Sequence, residues 1–392
     1  MKIVLVCESS YKYESGGKVV RYIAKFLTES GNNVKIVVLS KERDDVKLDS
    51  FYEENDVYYL PLRNNLHHRM LRLFLKTQER KEFIKVLEEF KPDIVHFASF
   101  NNGKPPRFIS DAKRFGAKVV LQPWTMQFFC VQGFGFRDGK TCNLCAKGNY
   151  LNALKYNCIN YKGIPTLIEK YLLQKSAQKG VVLLSSNTDL DTILKDYGVI
   201  QKKIVRFPIP FDYCGLKETQ QSERNYFVFY GQANAHKGFE VLLKVFESLP
   251  NIKLKICPLS PLPPEIILSD NIEIVNNVGW TNGLKEIIDN AKGVLIPSLW
   301  STSTEYALCE ALLLKKPVVI FNVGMHRDVF KDGFNAMVVE ADDIEGYVKA
   351  IQRLDQDIVF RKTIGYNGFK TLVKLNDPDK VYRQLLNAYA MK

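Results

Sequence analysis

The feature that most restricts this chain is a set of short, nearly all-apolar strand candidates separated by helical segments, arranged in two successive series. Lys2–Cys7 and Val34–Leu39 are apolar almost throughout, the texture of strands covered on both faces, as in a parallel sheet. Between them Ser15-Gly16-Gly17 interrupts the pattern, Val19–Thr28 has helical spacing, and Gly31 with Asn32 ends that helix. Further strands are expected at Asp93–Phe97, Lys118–Leu121 and Gly180–Leu184, with helices between them. Such alternation predicts a parallel sheet with right-handed crossovers. Around 207–224 the texture changes, because Phe207-Pro208-Ile209-Pro210 cannot continue a helix and Leu216–Arg224 is poor in apolar residues. A second series follows: strand Tyr226–Tyr230, helix Lys237–Leu249, strands Ile252–Cys257 and Ile272–Val275, helix Leu284–Ala291, strand Gly293–Pro297, helix Thr304–Leu314 and strand Val318–Phe321. From Ile344 onward the chain reads as helical, interrupted near Asn376-Asp377-Pro378. The expectation is an α/β chain with two doubly wound domains, 1–207 and 208–375, and a terminal helix, 376–392, crossing back to the first. In such a pair a ligand sits in the crevice at the carboxyl ends of the strands.

With 392 residues there is enough chain for two such cores, and 46% hydrophobic with 25% charged residues is the balance of a folded globular protein. The apolar run at the N-terminus is too short for a signal peptide, and no apolar window reaches the roughly eighteen residues of a transmembrane helix. The expected location is therefore the cytoplasm, where the eight cysteines would be reduced. The net charge of +12 suits an anionic partner without naming one. The stretch His67, His68, Arg69, Arg72, Lys76, Arg80, Lys81 interleaves with Met70, Leu71, Leu73, Phe74 and Leu75. At helical spacing this reads either as a surface for an anionic membrane or as a helix packed on its own sheet with a solvated basic face. No basic–aromatic recognition motif accompanies the charge, so nucleic acid is not an expected partner.

Three loops carry the chemistry. Gly16 and Gly17 open a helix directly after the first strand, where backbone N–H groups can approach an anion. In Tyr230-Gly231-Gln232-Ala233-Asn234-Ala235-His236-Lys237-Gly238 a strand ends in glycine and a lysine precedes the next helix. A cation there is unfavourably placed against the helix dipole unless something anionic balances it, and a diphosphate would. The run Pro297 to Ala311 leads from a buried strand through Ser301-Thr302-Ser303-Thr304 into a helix carrying Glu305 and Glu310. Glu310 lies between Cys309 and Ala311 on an apolar helix; a carboxylate in that setting needs a partner, either a basic residue or a ribose diol.

The order Gly231…Lys237-Gly238, Gly279-Trp280, Pro297-Ser298-Leu299-Trp300…Glu310-Ala311…Lys316-Pro317-Val318-Val319 and Val323-Gly324…Asp332-Gly333 resembles the retaining glycosyltransferases of family 4. Gly16-Gly17 and Lys91-Pro92-Asp93-Ile94-Val95-His96 are similar in the N-terminal half. The resemblance implies a GT-B fold, with two Rossmann-like domains facing a central cleft. It also implies a nucleotide-sugar donor, UDP- or GDP-linked, a glycan or lipid-linked acceptor, and transfer without a catalytic metal. Cell-surface polysaccharide biosynthesis at the inner face of the membrane is the expected setting. The implied donor-binding residues are Gly16, Gly17, Gly231, Gln232, Lys237, Trp280, Thr302, Ser303, Thr304, Glu305 and Glu310, with Lys237 and Glu310 also in the catalytic set. His96 joins that set because it ends an apolar strand on the crevice side, where it can contact the sugar or acceptor; a satisfied structural histidine is the alternative. Two departures stand out: Gln232 occupies the place of an arginine, and Thr302 that of the first of two glutamates. The usual Gly-Gly-x-Pro-Glu turn reads Gly324-Met325-His326-Arg327-Asp328. These losses leave a second reading open, a catalytically weak or inactive homologue serving as a subunit of a glycan-assembly complex.

Cys130, Cys142-x-x-Cys145 and Cys158 form a separate group in a turn-rich insertion, 122–165, whose spacing would suit a structural zinc. Unliganded, reduced thiols are the alternative.

Overall fold

The structure, a computed structural model, describes residues 1–8, 15–40, 56–63, 65–98, 106–124, 126–200, 204–207, 224–303 and 305–391. It divides into two compact units: Met1–Gly135 with Asn143–Asp212 and Pro378–Lys392, and Phe136–Cys142 with Tyr213–Asp377. The expected boundary at 207/208 adjoins 208–223, which lie outside the described residues.

In the first unit the chain runs β1 (Lys2–Cys7), α1 (Ser15–Glu29), β2 (Asn33–Val38), β3 (Asp56–Tyr59), α2 (Leu66–Phe74), α3 (Gln78–Phe90), β4 (Ile94–Phe97), α4 (Pro106–Arg114) and β5 (Lys118–Leu121). The hairpin β6 (Phe136–Arg137) and β7 (Lys140–Thr141), which groups with the second unit, comes next in the chain; the first unit then continues with α5 (Asn152–Lys155), α6 (Ile164–Gln178), β8 (Val181–Ser185), α7 (Thr188–Asp196) and β9 (Ile204–Arg206). Seven strands make one parallel sheet in the order β3-β2-β1-β4-β5-β8-β9. Ile3 to Cys7 are all buried, which is why β1 lacks polar alternation: it lies at the centre of a sheet covered on both faces. Helix α1 buries Val19, Val20, Ile23, Ala24 and Leu27, a stripe at helical spacing.

The glycine pair is not a separate loop. Ser15, Gly16 and Gly17 form the first turn of α1, which therefore begins four residues before the expected Val19. The basic stretch is likewise not one helix but two, α2 and α3, because the chain is extended at Leu75 and at Thr77, the residue preceding α3. The insertion also departs from expectation: residues 136–142 group with the second unit, where Phe136 packs against the apolar core.

The second unit contains β10 (Phe227–Gly231), α8 (Phe239–Glu247), β11 (Leu254–Pro258), β12 (Ile272–Ile274), α9 (Leu284–Asn290), β13 (Gly293–Ile296), α10 (Tyr306–Leu313), β14 (Val318–Phe321), α11 (Gly324–Val329), β15 (Met337–Val339), α12 (Ile344–Gln356) and α13 (Ile358–Leu375). Its six-stranded parallel sheet has the order β12-β11-β10-β13-β14-β15. The order reverses between β10 and β13, so the loops after those two strands diverge at the switch point where open α/β sheets bind ligands. The Tyr347 hydroxyl donates to the Val319 carbonyl at 2.8 Å and fixes α12 on the sheet.

The last helix, α14 (Pro378–Ala390), belongs to the first unit. Val381, Leu385, Ala388 and Tyr389 are its buried face, and the Tyr382 ring packs 5.0 Å from Phe26 of α1. Among the described residues no helix is long and apolar enough to cross a membrane.

Candidate functional site: a buried lysine–carboxylate–histidine cluster

The cluster is built where β10 and β13 diverge. After Gly231 the Asn234 side chain caps a short turn, its Oδ1 accepting from the Lys237 N–H at 3.2 Å. Gly238 then adopts φ 69° and starts α8. Lys237 thus stands just ahead of the helix rather than in its first turn. Gly238 is required twice over: φ is positive, and a β-carbon would collide with the Pro297 carbonyl. The Leu299 N–H donates to the His236 carbonyl at 3.0 Å, so the two loops are stitched together. On the far side, Gly324 at φ 50° brings α11 against the Thr302 backbone, and the Met325 N–H donates to the Thr302 carbonyl at 3.0 Å.

These contacts place Lys237, Ser298, Trp300, Glu305 and His326 around one point. The Lys237 Nζ donates to Glu305 Oε1, and lies 5.2 Å from the Trp300 ring centroid. Ser298 Oγ donates to the same carboxylate oxygen at 2.9 Å. Oε2 faces His326 Nε2 at 3.3 Å, and His326 Nδ1 lies 3.2 Å from the Phe321 carbonyl. Burial alone would raise the Glu305 pKa, but the Lys237 charge and His326 outweigh it and hold the carboxyl well below the usual range. Glu305 and His326 are buried, whereas the Lys237 side chain remains 24% exposed. The anion that balances Lys237 in this structure is therefore a protein carboxylate. His236 is edge-on to Trp300 with ring centroids 5.3 Å apart, and burial together with Lys237 brings its pKa down to about 4.

Glu310 is buried on α10, and its carboxylate lies beside the Tyr230 hydroxyl. That hydroxyl donates to the Ala307 carbonyl at 2.6 Å; burial first, and Glu310 second, push its pKa well up. Thr302 is fully buried, its hydroxyl donating to the Ser303 carbonyl at 2.8 Å, and Ser303 is buried beside it. Thr304 lies outside the described residues. Gln232 is exposed and its Oε1 accepts from Asn234 Nδ2 at 3.2 Å. Trp280 is half-buried in a turn closed by Gly279 and Asn282.

Gly16, Gly17 and His96 belong to the other unit. A β-carbon on Gly16 would stand 3.3 Å from the Trp124 ring, so glycine there serves the close approach of an indole to α1. His96 corrects an expectation. It does not stand open at a strand end for a sugar or an acceptor; it is fully buried within β4, with Nδ1 2.8 Å from the Tyr389 hydroxyl of α14. Burial lowers its pKa to about 3, so the ring is neutral.

Among the described residues, no group of three or more His, Cys, Asp and Glu side chains is placed to hold a metal ion. Cys130, Cys145 and Cys158 pack against the first unit's apolar core, and Cys142 ends the segment that groups with the second unit.

Sequence reasoning did not single out Ser298, Trp300 or His326 for the cluster, nor Tyr230 beside Glu310. No signal in the sequence marked His326, which falls on the unrestricted position of the resembled Gly-Gly-x-Pro-Glu turn.

The fold is GT-B. The chain superposes on UDP-bound HepE from Anabaena with a TM-score of 0.70 at 12% identity, covering 99% of each chain. It superposes on sucrose-phosphate synthase from Thermosynechococcus elongatus with a TM-score of 0.67 at 13% identity, covering 99% of this chain and 100% of the other. Residues 217–371, which take in the whole lysine–carboxylate–histidine cluster, match the family described as "Glycosyl transferases group 1". A 109-residue stretch is 27% identical to the Escherichia coli UDP-Gal:alpha-D-GlcNAc-diphosphoundecaprenol alpha-1,3-galactosyltransferase; it takes in 26% of this chain and 28% of that protein.

Proposed function

We propose that this protein is a retaining glycosyltransferase that moves a sugar from a UDP- or GDP-linked donor to a glycan or lipid-linked acceptor in cell-surface polysaccharide biosynthesis. The observation that carries the reading is the Lys237 ammonium, held at the switch point between the β10 and β13 loops inside the segment that matches the group 1 family. A solved structure of the same fold contains UDP, and the similar E. coli enzyme is named for a UDP-linked sugar and a diphosphoundecaprenol acceptor, which supports the donor and acceptor classes.

The chemistry follows from what such a transfer requires. A departing nucleoside diphosphate gains negative charge as the sugar turns oxocarbenium-like, and a preorganised cation lowers that barrier most. Lys237 supplies it. Glu310, buried in the second turn of α10, would accept from the two hydroxyls of the ribose. Lys237→Ala and Glu310→Ala are each expected to lower transfer at least about a hundredfold; Lys237→Ala also lowers the thermal unfolding midpoint, because it leaves the buried Glu305 carboxylate without its ammonium. Full turnover by both variants would remove the site assignment. NMR of the product anomer tests retention: inversion at the anomeric carbon would overturn that part alone. The departures at Gln232 and Thr302 favour one competing reading, an inactive subunit. It predicts that no UDP- or GDP-sugar is hydrolysed or transferred by the purified chain.

A further inference from the structure

A lysine that stabilises charge developing on a leaving group must meet it from a fixed direction. Its side chain, however, is flexible, with about 2 kcal/mol of rotamer entropy. Here the ammonium is not left to find its place. Glu305 holds Nζ from one side and the Trp300 ring stands 5.2 Å away. Glu305 is in turn held by Ser298 Oγ, which donates to one oxygen at 2.9 Å, while His326 Nε2 stands 3.3 Å from the other without a hydrogen bond. His326 is anchored through Nδ1 at the Phe321 carbonyl, which leaves Nε2 turned toward the carboxylate. These groups come from three segments: the loop after β10, the loop from β13 to α10, and α11 after β14. So many separated segments converging on one buried carboxylate, whose lysine partner stays partly open to solvent, is the arrangement of a support behind a binding group.

We infer that Glu305 and His326 are positioning residues for Lys237, holding its ammonium so that its remaining N–H donors meet the donor diphosphate. Glu305 acts through the lysine and not on the sugar. The inference rests on Lys237 being the diphosphate-binding cation proposed above, and the experiment separates the two. Calorimetric titration of the full chain with UDP, and with uridine as a phosphate-free control, is made for the wild type and four variants. Lys237→Ala is expected to weaken UDP binding by at least about tenfold. Glu305→Ala, which leaves the lysine in place, weakens it by about tenfold as well. Glu305→Gln, whose amide oxygen still accepts from Nζ, recovers most of the loss. His326→Gln gives a smaller loss, about threefold, and carries the test should Glu305→Ala not fold. Uridine binding is the same throughout. UDP binding by Glu305→Ala or His326→Gln as tight as wild type, or tighter, overturns the inference. So does a parallel loss of uridine, which is the mark of a merely structural role. Should Lys237→Ala bind UDP like the wild type, the donor-site reading itself falls.

Discussion

At the residue scale, Gly238 and Lys237 illustrate how a local backbone choice sets up chemistry. Gly238 turns the chain at φ 69° while pressed against the Pro297 carbonyl, and this brings the lysine to the β13 loop. Any side chain at 238 meets both the positive φ and the collision, so Gly238→Ala is expected to destabilise the fold by at least about 2 kcal/mol. Urea unfolding followed by circular dichroism measures it; an unchanged midpoint would mean the two loops part without cost. The sequence made Lys237 and Glu310 legible because a Lys-Gly pair before a helix and a carboxylate on an apolar helix are anomalies that need an explanation. It did not reveal that Lys237 and Glu305 pair, because they are 68 positions apart and only the neighbouring strands β10 and β13 bring their loops together.

At the element scale, α2 and α3 show why composition misleads about a surface. Read as one basic amphipathic stretch, residues 67–81 offer a cationic face; folded, much of the charge turns inward. Arg69 donates to both Glu169 oxygens and to the Thr166 hydroxyl of α6, and Arg80 donates twice to Asp111 of α4 at 2.6 and 2.8 Å. Arg72 is buried, and its Nη1 donates to the Arg63 carbonyl at 2.8 Å. What faces solvent at the end of α2 is instead apolar: Phe74 is 62% and Leu75 55% exposed, followed by the exposed Lys76. If this end of α2 meets a bilayer carrying a lipid-linked acceptor, insertion of the two side chains supplies the affinity, at about 1.5–3 kcal/mol for each that is fully buried. Sedimentation with anionic phosphatidylglycerol vesicles is expected to retain the wild type and to lose the Phe74→Ser/Leu75→Ser double variant by at least about tenfold. Equal retention of both would leave the exposed pair without a membrane role.

At the scale of the whole molecule, the chain's last helix closes a core laid down by its first hundred residues. Tyr389 of α14 seals His96 inside the first sheet, and this ties the stability of that unit to pH. In the folded state His96 titrates at about 3, whereas in an unfolded chain it takes up a proton near the ordinary value of about 6.5. Between these limits the unfolded chain binds more protons, so stability rises with pH; the contribution is intact above about 6.5 and is lost as pH falls toward 3. His96→Gln is expected to flatten the slope of unfolding free energy between pH 6 and pH 4 by up to about 1.4 kcal/mol per pH unit. His236, whose pKa is also lowered, keeps its own share in both proteins. An identical slope would mean that His96 is already reached by protons in the folded state. The two series of apolar strands were sufficient by themselves to determine two parallel α/β sheets, because burial on both faces removes polar alternation whatever the partners are. They also marked the lysine and the glutamate that need explaining. Only the tertiary structure decided that His96 is core and that Glu305 stands behind Lys237. Each of these depends on which distant segments meet, and the residues' own neighbours in sequence carry no record of that.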